Sequence, residues 1–360
     1  MRRLGYVRSL DGIRGVLIIA VIGVHYFGYP SGGYFSMEVF FALSGFLITT
    51  LLLEERDRTG AISLGAFYRR RGHRLLPALF TVLAAYLVVM SASPAKALEQ
   101  VGVVFFYVTN IVMASGSHLM GVDRSGPFWS ALSPFWSLAQ EEQFYLLWPL
   151  VLLALLRRGV RESRIAVVLL CLFVGLAVYR AGLGLTGASW NRIYFGPDTH
   201  ADGLVLGCLL ALLSRRGFRV PQLAGWLGLG ALFAAYAFAP SLTTVSPIAY
   251  GLAPMSIAAV LLVGAAVEPG LLHRCLSFRP LVWLGVMSYS LYLWHMFVFW
   301  LFDWQKPLLA IPVTLAIGTL SYYKVEKPLR SAYRNRRPAP VAAEAAPASV
   351  VEVQPASVRV

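Results

Sequence analysis

The chain has 360 residues, of which 58% are hydrophobic, with a mean hydropathy of +0.67 and a formal net charge of +14. Such apolarity excludes an ordinary soluble domain and points to an all-α, polytopic membrane protein. The charge does not mark a nucleic-acid binder, because the basic residues gather in short runs beside apolar segments: Arg69 to Arg74, Arg157 to Arg164, Arg215 to Arg219 and Lys324 to Arg337.

Apolar runs fall at about 10–28, 36–53, 76–92, 101–115, 141–156, 165–184, 200–214, 222–239, 247–267, 281–302 and 307–323. The first is read as a retained span and not a signal peptide, since Arg14 interrupts it and no small-residue cleavage site follows. Charge decides how many runs cross. With the N-terminus cytoplasmic, every arginine-rich loop falls inside only if 101–115 does not cross; that run is also short and carries Asn110 near its middle. The expectation is therefore about ten transmembrane helices, a re-entrant or interfacial segment at 101–115, and both termini cytoplasmic. Residues 1–337 form the membrane-embedded domain, and the Pro- and Ala-rich stretch 338–360 reads as a disordered cytoplasmic tail. The loop 116–140, with Phe128, Trp129, Phe135 and Trp136, suggests a folded mouth on the outer face. Cys171, Cys208 and Cys275 have no metal spacing, so neither a metal site nor a disulfide framework is expected.

The first run, DGIRGVLIIAVIGVHY, carries Arg14 and His25. Eleven helical residues advance about 16 Å and turn about 1100°, so the two share one stripe. Ionisable groups inside an apolar span are expensive and mark function, although an interfacial anchor and a satisfied interior histidine are the bland alternative. By depth, His25, Glu38, Trp136, Glu141, Glu142, Asp202 and His295 sort to the outer half, and Arg14, Arg71, Arg74 and Glu326 to the cytoplasmic side. Arg71 and Arg74, three apart, share a helix face and suit phosphate, against the competing reading of a plain topology signal. Glu141 and Glu142 open a helix that Ser137 is placed to cap; being adjacent, at most one faces a site. Asp202 stands where a cap would, and His295 beside Trp294 fits an aromatic belt as well as a site.

Several segments, in order along residues 8–332, resemble the acyltransferase 3 family of integral membrane O-acyltransferases. They are the Arg14–His25 pair, SMEVFFALSGFLITTLLLEE, FYRRRGHRLLPA, PFWSLAQEEQFYLLWPL, DTHADGLVLG, LGVMSYSLYLWHMFVF and YYKVEKPLR. Two positions depart from the family's pattern: Glu38 stands where aspartate is more common, and His200 where arginine is common. The resemblance implies transfer of an acyl group, acetyl first, from cytoplasmic acyl-coenzyme A as co-substrate, with no permanently bound cofactor. The acceptor would be a hydroxyl of a surface polysaccharide, a lipid-linked glycan or a macrolide, reached from a bacterial cell membrane.

On that basis His25 is the expected general base, with Glu142, Glu141 or Asp202 as the carboxylate that holds its tautomer. Arg14, Arg71 and Arg74 would hold donor phosphates. Direct transfer is the default, because no serine or cysteine lies in a nucleophile motif. The rival reading is a transporter or flippase for a glycan or anionic substrate, since intramembrane charges also mark transport paths. Inverted repeats, which such a protein would favour, are not evident.

Overall fold

A computed structural model describes residues 4–120, 130–240, 245–302 and 305–335. The tail 338–360 and the aromatic pair Phe128 and Trp129 lie outside the described residues. A chain this apolar must satisfy its backbone polar groups within each segment, and helices do so. Among the described residues the regular structure is entirely helical. In chain order the helices are α1 (Arg8–Phe27), α2 (Ser36–Thr59), α3 (Leu64–Val89), α4 (Pro94–Phe105), α5 (Thr109–Ala114), α6 (Phe135–Arg157), α7 (Glu162–Leu185) and α8 (Trp190–Phe195). There follow α9 (Asp202–Arg215), α10 (Gln222–Phe238), α11 (Val245–Val267), α12 (Leu271–Leu276), α13 (Arg279–Val286), α14 (Ser288–Leu301), α15 (Pro307–Ser321), a π-turn (Tyr322–Glu326) and α16 (Lys327–Asn335).

Among the described residues six segments are long and apolar enough to cross a membrane: α1, α2 with its leading turn, α3, α7, α11, and α15 with its π-helical continuation. Helices α13 and α14, bent by 69°, make a seventh if counted together. Three more of the ten expected runs are helical but stand outside this group. Helix α9 spans 14 residues and α10 spans 17, while α6 carries the Glu141–Glu142 pair. The run 101–115 is not one span; it falls across the short helices α4 and α5, which meet at Tyr107, whose backbone is left-handed with φ 53°.

Two close helix crossings set the site. Helices α1 and α13 touch backbone to backbone: a methyl added at Gly15 would meet the Leu281 carbonyl and at Gly285 the Asp11 carbonyl, while at Gly12 it would meet the Leu276 carbonyl at the end of α12. Without a hydrophobic drive between helices in lipid, small residues permit this packing, with Cα–H···O contacts as its polar component. The most extensive interface joins α2 and α9, where Gly45, Gly203 and Gly207 abut the opposing backbone. The first crossing carries α14 past the far end of α1. The second sets Glu38 of α2 beside the start of α9.

These contacts predict a contrast between two glycines. Gly285→Val should destabilise the protein by about 1–3 kcal/mol through overpacking, read as a lower thermal midpoint in detergent. Gly230→Ala, where an added methyl meets nothing within 4 Å, should not lower it.

Candidate active site

Arg14 of α1 and Arg71 and Arg74 of α3 line one cavity of about 100 Å³ with Ser44, Ser137, Glu141, Tyr145, Ser288 and Tyr292. Arg71 donates from Nε and Nη2 to Glu142 Oε1 at 3.3 and 3.2 Å, and its guanidinium sits 3.1 Å from the centre of the Tyr145 ring. Arg14 lies 3.8 Å from Asp11. Arg74 differs. Its Nε is buried with no hydrogen-bond partner among the described residues, and its charged neighbours are Arg14, Arg71 and Arg330 with the carboxylates of Glu326 and Glu142. Glu326, buried in the π-turn, accepts a 3.1 Å bond from Ser290. Three guanidinium groups on one cavity wall make a lining of the kind that suits phosphate.

The expected sorting by depth fails for the glutamate pair. Glu142 lies seven residues into α6 (142 − 135) and Arg71 seven into α3 (71 − 64), so both are mid-helix and meet. Glu141 faces the cavity and accepts from Ser44 Oγ at 2.6 Å, while Glu142 turns to Arg71; adjacent helical residues point apart, as anticipated. Ser137 is not a cap. The helix begins two residues before it, and its Oγ lies 2.7 Å from the Tyr292 hydroxyl.

At the far end of α1, His25 Nδ1 is 3.1 Å from His295 Nε2. His295 Nδ1 donates to the Tyr292 carbonyl at 2.6 Å, which leaves Nε2 of the neutral ring as an acceptor. His25 also bonds the Val21 carbonyl, so its ring is held both from α1 itself and from His295. His295 is fully buried, and the Tyr26 hydroxyl, 2.5 Å from Thr314 Oγ1, donates to its backbone carbonyl at 2.7 Å. The group at His25 Nδ1 is thus a second imidazole and not one of the expected carboxylates. Those three are engaged elsewhere: Glu142 with Arg71, Glu141 with Ser44, and Asp202 with Arg180 in a fully buried ion pair. Tyr292 connects the two centres, its side chain lining the arginine cavity and its carbonyl holding His295.

A third polar cluster sits apart from the cavity lining. The fully buried Glu38 carboxylate bonds His200 Nε2 with one oxygen and accepts from Ser256 with the other. His200 Nδ1 donates to the Tyr194 carbonyl at 2.5 Å, and Trp136 stacks on the ring at 5.4 Å. Gln140 Nε2 donates to the His200 carbonyl, tying this cluster to α6. Trp136 and Glu38 are therefore packing partners of His200. The two positions that depart from the resembled pattern touch each other. Sequence reasoning passed over Tyr292 and Arg180. An arginine within the apolar run 165–184 was itself a signal; Tyr292 gave none.

The acyltransferase domain family matches residues 7–323, and the chain belongs to it. It is 32% identical over 359 residues to the peptidoglycan O-acetyltransferase OatA of Listeria monocytogenes, covering 90% of this chain and 56% of that protein. It is 32% identical over 353 residues to the O-acetyltransferase OatA of Staphylococcus aureus, covering 90% of this chain and 57% of that one. The chain thus spans little more than half the length of the curated relatives it matches. No solved structure matches it.

Removing one member of the Arg180–Asp202 pair strands a buried charge. Arg180→Met should cost about 3–5 kcal/mol in a thermal or denaturant melt, and adding Asp202→Leu should recover a large part of that loss.

Proposed function

We propose that the chain is a membrane O-acyltransferase that moves an acyl group, acetyl first, from acyl-coenzyme A to a hydroxyl of a glycan. The observation that carries this reading is a cation-rich cavity joined through Tyr292 to a histidine pair. Its support is the family match and the relatives' names, which favour a glycan over a macrolide as acceptor. By the distribution of positive charge, the arginine end and both termini face the cytoplasm of a bacterial cell, with ten crossings of its membrane.

In this mechanism Arg14, Arg71 and Arg74 donate charge-assisted hydrogen bonds to the donor's phosphates, and the thioester arm reaches along the cavity toward Tyr292. The acceptor hydroxyl gives its proton to the unprotonated ring nitrogen of His25 as its oxygen attacks the thioester carbon. The resulting imidazolium is held by the bond from Nδ1 to His295, which in turn is oriented by the Tyr292 carbonyl. Collapse breaks the carbon–sulfur bond. The proton passes from His25 to the departing thiolate, giving the ester and free coenzyme A.

Thiol release from acetyl-coenzyme A by detergent-purified protein, with peptidoglycan fragments as acceptor, tests the reading. His25→Ala should lower turnover by about 10²–10⁴ while donor binding persists. Arg74→Ala should raise the donor KM with less effect on kcat. Unchanged release in the His25 variant removes the base assignment. No release from any acyl-coenzyme A by folded protein removes the enzyme reading.

A further inference from the structure

The 69° bend between α13 and α14 leaves a gap at the edge of the bundle. Helix α13 packs on α1, whereas α14 packs along α15, so the bend carries α13 away from α15. Between them lies an open groove of about 530 Å³. Trp283 of α13 forms one wall; Leu315, Ala316, Thr319 and Leu320 of α15, with Tyr323 of the π-turn, form the other. Those α15 positions are three and four residues apart and share one face. Trp283 is 44%, Leu320 58% and Tyr323 41% exposed, and α15 with its π-helical continuation is the least covered of the six candidate spans. Lipid tails are as apolar as such a face and meet it in the bilayer.

Apolarity alone would make this ordinary bilayer contact. The charge at one end of the groove makes it selective. Lys327 is exposed, and its Nζ lies 5.1 Å from the centre of the Tyr323 ring. Arg279, also exposed, precedes Trp283 by four residues, one turn away on the same face of α13. Among residues 322–332 the one acidic side chain is Glu326, which is buried and bonded to Ser290, so the exposed surface there carries positive charge only. Residues 315–323 advance about 12 Å from the apolar end of the groove to this basic end. Trp and Tyr settle at headgroup level, and basic pockets between spans hold anionic headgroups. An apolar trough that ends in aromatic rings and cations matches both parts of one molecule.

We infer that the α13–α15 groove is a binding site for one anionic phospholipid, its acyl chain along residues 315–320 and its phosphate at the basic end with Lys327 and Arg279. The inference does not rest on the acyl-transfer reading. The lipid fills the space beside the bend that turns α14 toward His25.

The test titrates the detergent-purified full chain with dioleoylphosphatidylglycerol or dioleoylphosphatidylcholine, which share acyl chains and differ in headgroup charge. Bound lipid is read by native mass spectrometry. The anionic lipid should bind tighter by about tenfold or more, as two basic residues imply. Arg279→Gln with Lys327→Gln should erase that preference. Arg157→Gln with Arg158→Gln, which removes two exposed cations at the end of α6, should keep it. Ala316→Trp, which fills the groove and keeps every cation, should displace both lipids. All these positions are exposed, so the variants should melt with the parent. Excess glycerol 3-phosphate should leave the bound lipid in place, because the groove holds the chain. Equal binding of the two lipids by the parent overturns the inference, as does an equal loss of preference in the Arg157–Arg158 variant. Tight binding that survives Ala316→Trp removes the groove as the site, and displacement by glycerol 3-phosphate removes the lipid as its occupant. A lipid-free dimer that Ala316→Trp converts to monomer would show a second copy on this face, and the inference would fall.

Discussion

Carrying an ionised side chain into an apolar helix bundle costs several kcal/mol unless a counter-charge or hydrogen bonds meet it there. The interior of this bundle is ordered by how that demand is met at each position. Arg180 is met by Asp202, Glu38 by His200 and Ser256, and Arg71 by Glu142 and the face of Tyr145. Arg74 is met less completely: three guanidinium groups and the carboxylates of Glu326 and Glu142 surround it, and among the described residues its buried Nε has no hydrogen-bond partner. The paired groups hold helices together.

The geometry that gathers these groups comes from helices packed closer than ordinary side chains allow. Glycines on α1 and α13 bring their backbones into contact, and the 69° bend after α13 then turns α14 so that Tyr292 faces the cavity while His295 reaches His25. Glycines on α2 and α9 do the same for Glu38 and His200. His200 is tied through Gln140 and Trp136 to the first turns of α6, which supply Ser137 and Glu141 to the cavity. Polar chemistry and close packing are therefore one design: the small residues place the charges, and the charges in turn favour those crossings.

Much of this was legible in the sequence. The apolar runs located the helices, and the adjacency of Glu141 and Glu142 implied side chains that point apart, one now bonded to Ser44 and the other to Arg71. The short length and Asn110 of run 101–115 marked it as different, and Asn110 proves to exchange amide hydrogen bonds with Gln143 of α6. What the sequence could not carry were partnerships across long separations. His25 and His295 are 270 positions apart, and nothing local to either announces the other. Sorting residues by expected depth also separated Arg71 from Glu142, because charge counting along a chain does not know how far into its helix each group sits. Helices α9 and α10 form where the apolar runs predict helices, but at 14 and 17 residues they are shorter than the segments that pass as spans by length and composition.

On the proposed function, Arg74 binds a phosphate of a donor whose reactive end lies toward the Tyr292–His295–His25 chain. The most direct measurement is a structure of the protein in a lipid nanodisc with coenzyme A bound, by electron cryomicroscopy. The account predicts a phosphate within hydrogen-bonding distance of Arg74 and the thiol directed along the cavity toward Tyr292. Coenzyme A bound elsewhere, or bound with Arg74 still lacking an anion, would contradict it.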